Sequence, residues 1–334
     1  MGEPSAAPFF EDLRVGQVLD GAPGLTLTDG HAALHQAILG DRLRIALDAE
    51  LSSRVLGPGP ALAHPGLVCD VAIGQSTQLT QRVIGNLFYR GLSLLRAPRL
   101  GDTLRTTTEV VALRQNSAKP GRAATGLAVL RIRTRDQEGR EVLDFERCAM
   151  LPLRDPEGET GHADEIRTGT EEPSAEQLGA ALSGWDLAAY REAVPGPHFA
   201  DLSPGQRWTV EGADLVSSAP ELARLSLNVA FAHHDAATTG HGRRLVYGGH
   251  TIGIAAAQLT RAIPGLLTIV AWHSCDHLGP VFEGEMLRSE VELERVEPLA
   301  TGGGLAHLRS RVRALREDGE EAAVLDWRLV GALA

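Results

Sequence analysis

The stretch Phe10-Glu-Asp-Leu-Arg-Val-Gly-Gln17 decides the fold, because the chain contains it twice. It returns 189 positions later as Phe199-Ala-Asp-Leu-Ser-Pro-Gly-Gln206, so both copies follow the pattern F-x-D-L-x-x-G-Q. Identical residues at these fixed positions and one spacing indicate an internal duplication. A duplicated domain should also match elsewhere, in the same order along the 334 residues.

Further pairs of segments do match in the same order, and their offset decreases slowly along the chain. A drift of this size is what a few insertions and deletions in loops produce. The pairs are residues 41–48 with 228–235, 62–66 with 245–249, and 142–147 with 324–329, at offsets of 187, 183 and 182. The sequence therefore predicts two copies of one domain, at 1–153 and 196–334, joined by an acidic linker with a short helix at 154–195.

Each predicted domain has the same order of secondary structure. A short strand near the repeated motif is followed by an irregular stretch, one apolar helix (residues 66–82 and 249–262) and several strand-like runs. Many of these runs alternate apolar and polar residues, which is typical of an antiparallel sheet with one buried face. The pattern indicates an α+β fold in which each half is a long helix wrapped by an antiparallel β-sheet.

The composition argues against several classes of protein. A net charge of −11 disfavours a broad nucleic-acid-binding face, and no apolar run approaches the ~18 residues of a membrane span. Three widely separated cysteines fit a reducing compartment, and the histidine spacing fits no common zinc site. Residues 1–13 have neither the basic nor the apolar segment of a leader, so we expect a cytoplasmic protein without nucleic-acid or membrane partners.

The segment 225–250, LSLNVAFAHHDAATTGHGRRLVYGGH, concentrates the residues suited to chemistry. Histidine can take and return a proton near neutral pH, because its unperturbed pKa is about 6.5. Arginine suits phosphate or carboxylate groups, and a glycine N–H at a helix N-terminus can stabilise an oxyanion. The segment supplies all three kinds of group, namely His233, His234, His241 and His250, then Arg243 and Arg244, then Gly248 and Gly249.

The sequence resembles the MaoC-like, (R)-specific enoyl-CoA hydratases in their double hot-dog form, with most likeness to mesaconyl-CoA hydratases and mycobacterial double hot-dog proteins. The resemblance covers nearly the whole chain except the linker. It rests on FFEDLRVGQ at 9–17, LGDTLRTTTEVVALRQNS at 100–117, LDFERCAML at 143–151, the Asn228-x4-His233 spacing, GRRLVYGGH at 242–250 and the final VLDW. It implies a tandem hot-dog fold and a hydratase or dehydratase acting on a 2-enoyl thioester of CoA or of an acyl carrier, without a cofactor.

The family handles water with an aspartate and a histidine five positions later. By the resemblance, His233 is the general acid/base and Asn228 stands at the aspartate position. Asparagine can orient a water or the imidazole, but it cannot accept a proton. On an ideal helix the two side chains would diverge by about 140°, so we expect a bent, irregular segment. The resemblance also makes the Gly249 N–H the donor to the thioester carbonyl.

Further roles are expected for residues around this pair. Because Asn228 cannot accept a proton, a carboxylate from elsewhere is one way to assist His233, and the sequence does not rank the candidates Asp235, Asp276 and Glu283. The CoA or acyl group is expected to contact Arg243, Arg244, Tyr247, Gly248 and Asp235.

The first copy has lost part of the motif. Asp41 keeps the acid position, but Ala46 stands where the histidine is expected. We therefore expect at most one hydratase site, with the first half supplying part of the acyl or CoA pocket. Likeness to the mesaconyl-CoA branch suggests a branched or dicarboxylic acyl group, and a homodimer of fused pairs is compatible with the sequence.

Two other functions compete with this interpretation. A hot-dog thioesterase would use a helix carboxylate to activate water, and His64-Pro65-Gly66 followed by Asp70 faintly resembles that arrangement. A non-catalytic binder of acyl-CoA or acyl carrier would remain if both water-handling pairs had decayed.

Overall fold

The computed structural model describes residues 7–167, 169, 172–316 and 319–334. The expectation that the chain starts without a leader concerns in part residues 1–6, which lie outside the described residues, as do positions 168, 170 and 171 of the predicted linker. Within the described ranges, no helix is long and apolar enough to cross a membrane.

The helices of the described residues belong to both halves of the chain. They are α1 (Asp29–Leu39), α2 (Arg44–Leu47), α3 (Ala49–Leu56), α4 (Pro65–Gln75), α5 (Ala175–Ala180), α6 (Leu187–Ala193), α7 (Ala219–Leu225) and α8 (Gly248–Ala262). Two of them, α4 and α8, are buried along almost their whole length and pack against each other at the centre of the molecule. α4 is continued by a 3₁₀ helix, Ser76–Thr80.

The strands of the described residues form one antiparallel sheet. They are β1 (Val18–Leu19), β2 (Leu25–Thr26), β3 (Gly85–Leu94), β4 (Thr103–Gln115), β5 (Thr125–Arg135), β6 (Glu141–Pro152), β7 (Arg207–Thr209), β8 (Asp214–Leu215), β9 (Leu266–His277), β10 (Met286–Pro298), β11 (Gly304–Leu315) and β12 (Glu321–Leu333). Their order is β1-β4-β5-β6-β3-β9-β12-β11-β10-β7, with β2 beside β4 and β8 beside β10.

The two half-sheets join through β3 and β9, which are the first long strands after the central helices. The pairing is antiparallel and places Phe88 opposite Asp276 and Ser93 opposite Ala271. An ion pair of 2.5 Å between Arg90 and Asp276 crosses the joint. Because equivalent strands meet edge to edge, the sheet continues from one half into the other and leaves no free edge at the joint.

The repeated motif packs in the same way in both halves. The phenylalanine of each copy lies on a strand glycine, Phe10 on Gly126 and Phe199 on Gly304, where an added Cβ would overlap the ring. The motif glycines, Gly16 and Gly205, have φ of +82° and +90°, a backbone conformation that favours glycine. The motif therefore fixes how each half begins, which explains why the duplication retained it.

A segment of the second half, residues 226–233, crosses over α4 of the first half. Its backbone comes so close that a Cβ on Gly74 would overlap the carbonyl oxygen of Ser226. The Val229 N–H donates to Thr77 Oγ1 at 3.0 Å, and the Phe231 N–H donates to the Gln81 carbonyl at 2.8 Å. We call residues 226–233 the crossing segment.

The equivalent segment of the first half contacts α8 of the second half in the same way. The Arg42 N–H donates to Thr260 Oγ1 at 3.2 Å, as the Val229 N–H does to Thr77. Gly253 leaves the space on α8 that Leu39 fills. Each half therefore lies on the central helix of the other, and the interface follows the symmetry of the duplication.

The structure confirms the predicted α+β tandem hot-dog fold and places its main elements close to their predicted positions. The helix expected at 66–82 is α4 followed by the 3₁₀ turn, and the one at 249–262 is α8. The stretch expected to be irregular instead contains α1, α2 and α3, and the single helix expected in the linker is two helices, α5 and α6. The domain boundaries 1–153, 154–195 and 196–334 stay a prediction.

The close approach at Gly74 predicts a large effect of a small substitution. Gly74→Ala would force the Ser226 carbonyl and the crossing segment away from α4, and we expect the free energy of unfolding to fall by about 1–3 kcal/mol. Gly30→Ala, on an exposed position of α1 with its nearest neighbour at an ordinary 3.6 Å, is the matched control and should not destabilise. Chemical denaturation of both variants checks this, and equal midpoints would contradict it.

Candidate functional site

A cavity of about 320 Å³ lies where the crossing segment meets the first half. The second half contributes Asn228, His233, Tyr247, Gly248 and His277 to its wall. The first half contributes residues of α4, its 3₁₀ extension, β3 and β6, among them Ile73, Thr77, Thr80, Asn86 and Arg147. Neither half encloses this cavity alone.

His233 has one ring nitrogen engaged and the other left for the cavity. Its Nδ1 lies 2.8 Å from the Leu245 carbonyl oxygen. Because a carbonyl oxygen only accepts, Nδ1 carries the proton and Nε2 carries the lone pair of a neutral imidazole. Burial lowers the pKa of His233 to about 4, so the ring is neutral at physiological pH. His233 is thus present in the form that a general base needs.

Asn228 is held by its backbone and by its own side-chain oxygen. Its Oδ1 accepts from the Ala230 N–H at 3.0 Å, which fixes the orientation of the amide. Its carbonyl oxygen accepts from His234 Nε2 at 2.7 Å. Within the described residues Nδ2 has no hydrogen-bond partner, so its two N–H groups are free for a water or a ligand in the cavity.

The N-terminus of α8 forms another part of the cavity wall. Its N-cap residue Tyr247 makes no side-chain cap, and within the described residues the Gly248 and Gly249 N–H groups have no partner. Gly248 lines the cavity and faces the ring of His277, to which an added Cβ would come within 2.7 Å. The Cα of Gly249 instead packs against Asp70 and the Tyr247 ring. The role of the Gly249 N–H as carbonyl donor stays a prediction.

The other predicted binding residues lie at different distances from this cavity. Tyr247 lines it, and burial raises the pKa of its hydroxyl. Arg243 lies over the Phe282 ring at 3.7 Å and pairs with Glu285, while Arg244 pairs with Glu283 at 3.2 Å. Asp235 caps the 3₁₀ turn that follows the crossing segment, with its Oδ1 accepting from Ala237 N–H. Arg243, Arg244 and Asp235 do not line the cavity as the structure describes it.

The carboxylates named as assistants of His233 are already engaged. Asp276 pairs with Arg90, and Glu283 accepts from the Ala219 N–H and from Arg244. Of the remaining histidines, His241 lines the cavity, whereas His250 is fully buried on α8. Within the described residues no group of His, Cys, Asp and Glu side chains could hold a metal ion.

Sequence reasoning missed two cavity residues. His277 ends β9, and burial lowers its pKa to about 4. Arg147 on β6 is 2% exposed and lines the same cavity. The repeat offered a signal for Arg147, because the matching segments 142–147 and 324–329 place it opposite Leu329, a charge against an apolar residue.

The corresponding place in the first half is partly filled. At the offset of 183, the cavity residues Leu245, Gly248 and His277 correspond to Leu62, Pro65 and Leu94. These three line a void of only about 20 Å³ together with Ala181 and Leu182, which follow α5. The linker therefore occupies part of the corresponding place, while Asp41, paired with His64 at 3.1 Å, and Ala46 line a separate cavity of about 260 Å³.

The fold and the cavity define a class, a tandem hot-dog protein with a largely apolar cavity between its halves into which a few polar groups are set. Comparisons with known proteins agree. A protein from Mycobacterium tuberculosis, described as a conserved hypothetical protein with a double hotdog fold, is 52% identical, covers 98% of this chain and 99% of its own, and has a TM-score of 0.90. A putative MaoC domain protein dehydratase from Chloroflexus aurantiacus shares the fold at 24% identity and a TM-score of 0.85, covering 100% of this chain and 99% of its own.

Curated relatives are similar over most of their length. A mesaconyl-CoA hydratase from Cereibacter sphaeroides is 29% identical over 91% of this chain and 89% of its own. A beta-methylmalyl-CoA dehydratase from Chloroflexus aurantiacus is 28% identical over 90% of this chain and 87% of its own. No family model matches the chain. The chain belongs to the MaoC-like double hot-dog family of hydratases and dehydratases.

The environment of His233 predicts its titration. Because burial depresses the pKa to about 4, the ring should stay neutral at pH 5.5, where an unperturbed histidine is mostly protonated. Imidazole ¹⁵N chemical shifts, assigned with a His233→Gln variant, measure the midpoint, and the denatured protein gives the reference near 6.5. A folded-state midpoint between 6 and 7 would contradict the assignment.

Proposed function

We propose that the protein adds water to, or removes it from, the double bond of a 2-enoyl-CoA thioester, as an (R)-specific hydro-lyase. The observation that supports this best is the meeting of three groups in one cavity. They are the Nε2 of His233, the Nδ2 hydrogens of Asn228 and the backbone N–H of Gly248 at the start of α8, none of which has a partner within the described residues.

Each group has a step in the reaction. The N–H groups at the start of α8 donate to the thioester carbonyl, which draws electron density from the double bond and makes C3 electrophilic. His233 Nε2 takes a proton from a water as the water oxygen bonds to C3 and the π electrons move toward the enolate oxygen. The imidazolium returns that proton to C2 and the enolate collapses. The hydroxyl group of the water is then bonded to C3 and its hydrogen to C2. The same steps in reverse are the dehydration.

Asn228 orients this chemistry without exchanging a proton. Its Oδ1 is held by the Ala230 N–H, so only its Nδ2 hydrogens point to a ligand. Two donors at fixed positions suit the oxygen of the attacking water or of the 3-hydroxyl group that it becomes. His233 therefore acts as the single base of the site.

The proposed substrate is a branched or dicarboxylic acyl thioester. The relatives named for mesaconyl-CoA and beta-methylmalyl-CoA act on acyl groups that carry a methyl branch and a free carboxylate. The proposal needs no cofactor, because the thioester is itself the substrate. CoA is the proposed carrier, a homodimer of fused pairs stays a prediction, and so does a cytoplasmic location.

The thioesterase alternative finds less support in the geometry. Its carboxylate, Asp70, is 4% exposed and lies 3.2 Å from His35 Nε2. It borders a void of about 20 Å³ between α4 and α8 and is absent from the wall of the 320 Å³ cavity. A carboxylate enclosed in this way has no room to direct water at an acyl group.

Removal of the base is the direct test of the proposed function. His233→Ala should lower kcat/KM for enoyl-CoA hydration by about 10²–10⁴-fold, the usual contribution of a general base. Loss of the conjugated thioester absorbance follows the reaction. His31→Ala, on α1 and away from the cavity, is the control and should match the unaltered protein. Unchanged turnover in His233→Ala would end the assignment, and release of free thiol from a saturated acyl-CoA would favour a thioesterase.

Asn228 allows a sharper test, because one substitution separates its two ends. Asn228→Asp keeps the oxygen that accepts from Ala230 N–H but replaces the Nδ2 donors by an acceptor. We expect kcat/KM to fall about 10–100-fold while the unfolding midpoint stays close to that of the unaltered protein. Full or increased activity of Asn228→Asp would show that the amide donors have no task.

A further inference from the structure

Arg147 is a buried cation on the wall of the catalytic cavity. Its side chain makes hydrogen bonds to Ser76 Oγ at 3.1 Å, to the Ser76 carbonyl at 3.1 Å, to Thr80 Oγ1 at 2.7 Å and to Asn86 Oδ1 at 3.4 Å. All of these acceptors are neutral. We call Arg147, Ser76, Thr80 and Asn86 the arginine cradle.

The guanidinium of Arg147 has no carboxylate partner among the described residues. Within the described residues no carboxylate lies within ion-pair distance of its guanidinium, whereas Arg131 on the neighbouring strand β5 pairs with Asp144 at 2.7 Å. Arginine is not deprotonated in proteins, so the buried group stays charged although burial lowers its pKa. A buried, unpaired charge is costly to a fold, unless a ligand supplies the opposite charge.

The duplication shows that the fold does not require this cradle. The register of the two halves is fixed by equivalent hydrogen bonds, since Gln75 Nε2 donates to the Leu104 carbonyl as Gln258 Nε2 donates to that of Leu287. At the same offsets the cradle positions become buried apolar residues, namely Leu259, Ile263, Ile269 and Leu329. The second half thus forms the same helix and strands with apolar residues at these four positions. The polar set occurs only on the side that faces the cavity.

The cradle also retains capacity for a ligand. A guanidinium has five N–H donors, and the hydrogen bonds above use four of them, the one to Asn86 being long. The one unused donor is on Nη1, which also makes the long contact to Asn86. A carboxylate binds a guanidinium in its plane and strengthens the hydrogen bond through its charge, so it would displace the weak contact to Asn86.

From these contacts we propose that the arginine cradle binds a free carboxylate of the acyl group, with Arg147 as the residue that selects carboxylate-bearing substrates. This proposal rests on the proposed function, because it takes the cavity to be the binding site of the enoyl-CoA substrate. The carboxylate at Arg147 and the thioester carbonyl at the start of α8 would then hold the double bond between them, within reach of His233 on the same wall.

Binding of unreactive thioesters tests the cradle independently of turnover. Succinyl-CoA and butyryl-CoA both have four-carbon acyl groups and differ in the terminal carboxylate. By calorimetry, the unaltered protein should bind succinyl-CoA at least about 10-fold more tightly, and Arg147→Leu, which copies Leu329, should abolish this preference. Arg147→Gln is a second neutral variant that keeps an amide for Ser76 and Thr80. Arg131→Leu removes the same charge from β5 and should leave the preference intact.

Turnover then separates the two proposals. With fumaryl-CoA, Arg147→Leu should lose about 100-fold in kcat/KM, while with crotonyl-CoA, which has no carboxylate to lose, it should show no comparable loss. Absence of a succinyl-CoA preference in the unaltered protein, its persistence in both neutral variants, or equal losses on both enoyl-CoAs would overturn the cradle. If the unaltered protein prefers succinyl-CoA but hydrates neither enoyl-CoA, the proposed hydratase function is wrong, while the proposed carboxylate binding by the arginine cradle is retained.

Discussion

The structure depends on one close contact, the passage of the crossing segment over Gly74. Only a residue without a side chain lets the Ser226 carbonyl lie against α4, and this position brings Asn228 and His233 to the first half. The cavity therefore exists only between the halves. A single hot-dog half would have the His233 imidazole without the opposing wall, so the cavity requires both copies.

The duplication also gave the two halves different roles. In the first half, Ala181 and Leu182 of the linker fill part of the corresponding place, and Asp41 is held by His64 beside a separate cavity. In the second, that place stays open and is lined with polar groups. The central helix and strands of the first half line the cavity that contains Asn228 and His233. Arg147 belongs to that half, so the substrate wall and the catalytic groups come from opposite copies.

Much of this could be predicted from the sequence, and the rest failed for identifiable reasons. The motif at Phe10 and Phe199 and the central helices follow from repetition and alternation, which are local patterns, whereas the role predicted for His233 rests on the family resemblance. Helices α2 and α3 were missed because they are only 4 and 8 residues long, and α1 was missed although Thr28 and Gly40 mark its ends. His277 and Arg147 were missed because the sheet brings them to the cavity from strands distant in sequence. Only the mismatch with Leu329 pointed to Arg147.

Charge connects the asparagine, the histidine and the cradle. Burial lowers the pKa of His233 first of all, and the positive charge of Arg147 lowers it further. An aspartate at position 228 would raise the pKa of His233 through its negative charge. It would also repel a substrate carboxylate in the same small cavity. Because Asn228 is neutral, the negative charge near His233 and Arg147 would be supplied by the carboxylate of the proposed substrate. A carboxylate bound at Arg147 as proposed would offset the guanidinium charge, which is one of the smaller causes of the lowered pKa of His233, while burial would remain the largest.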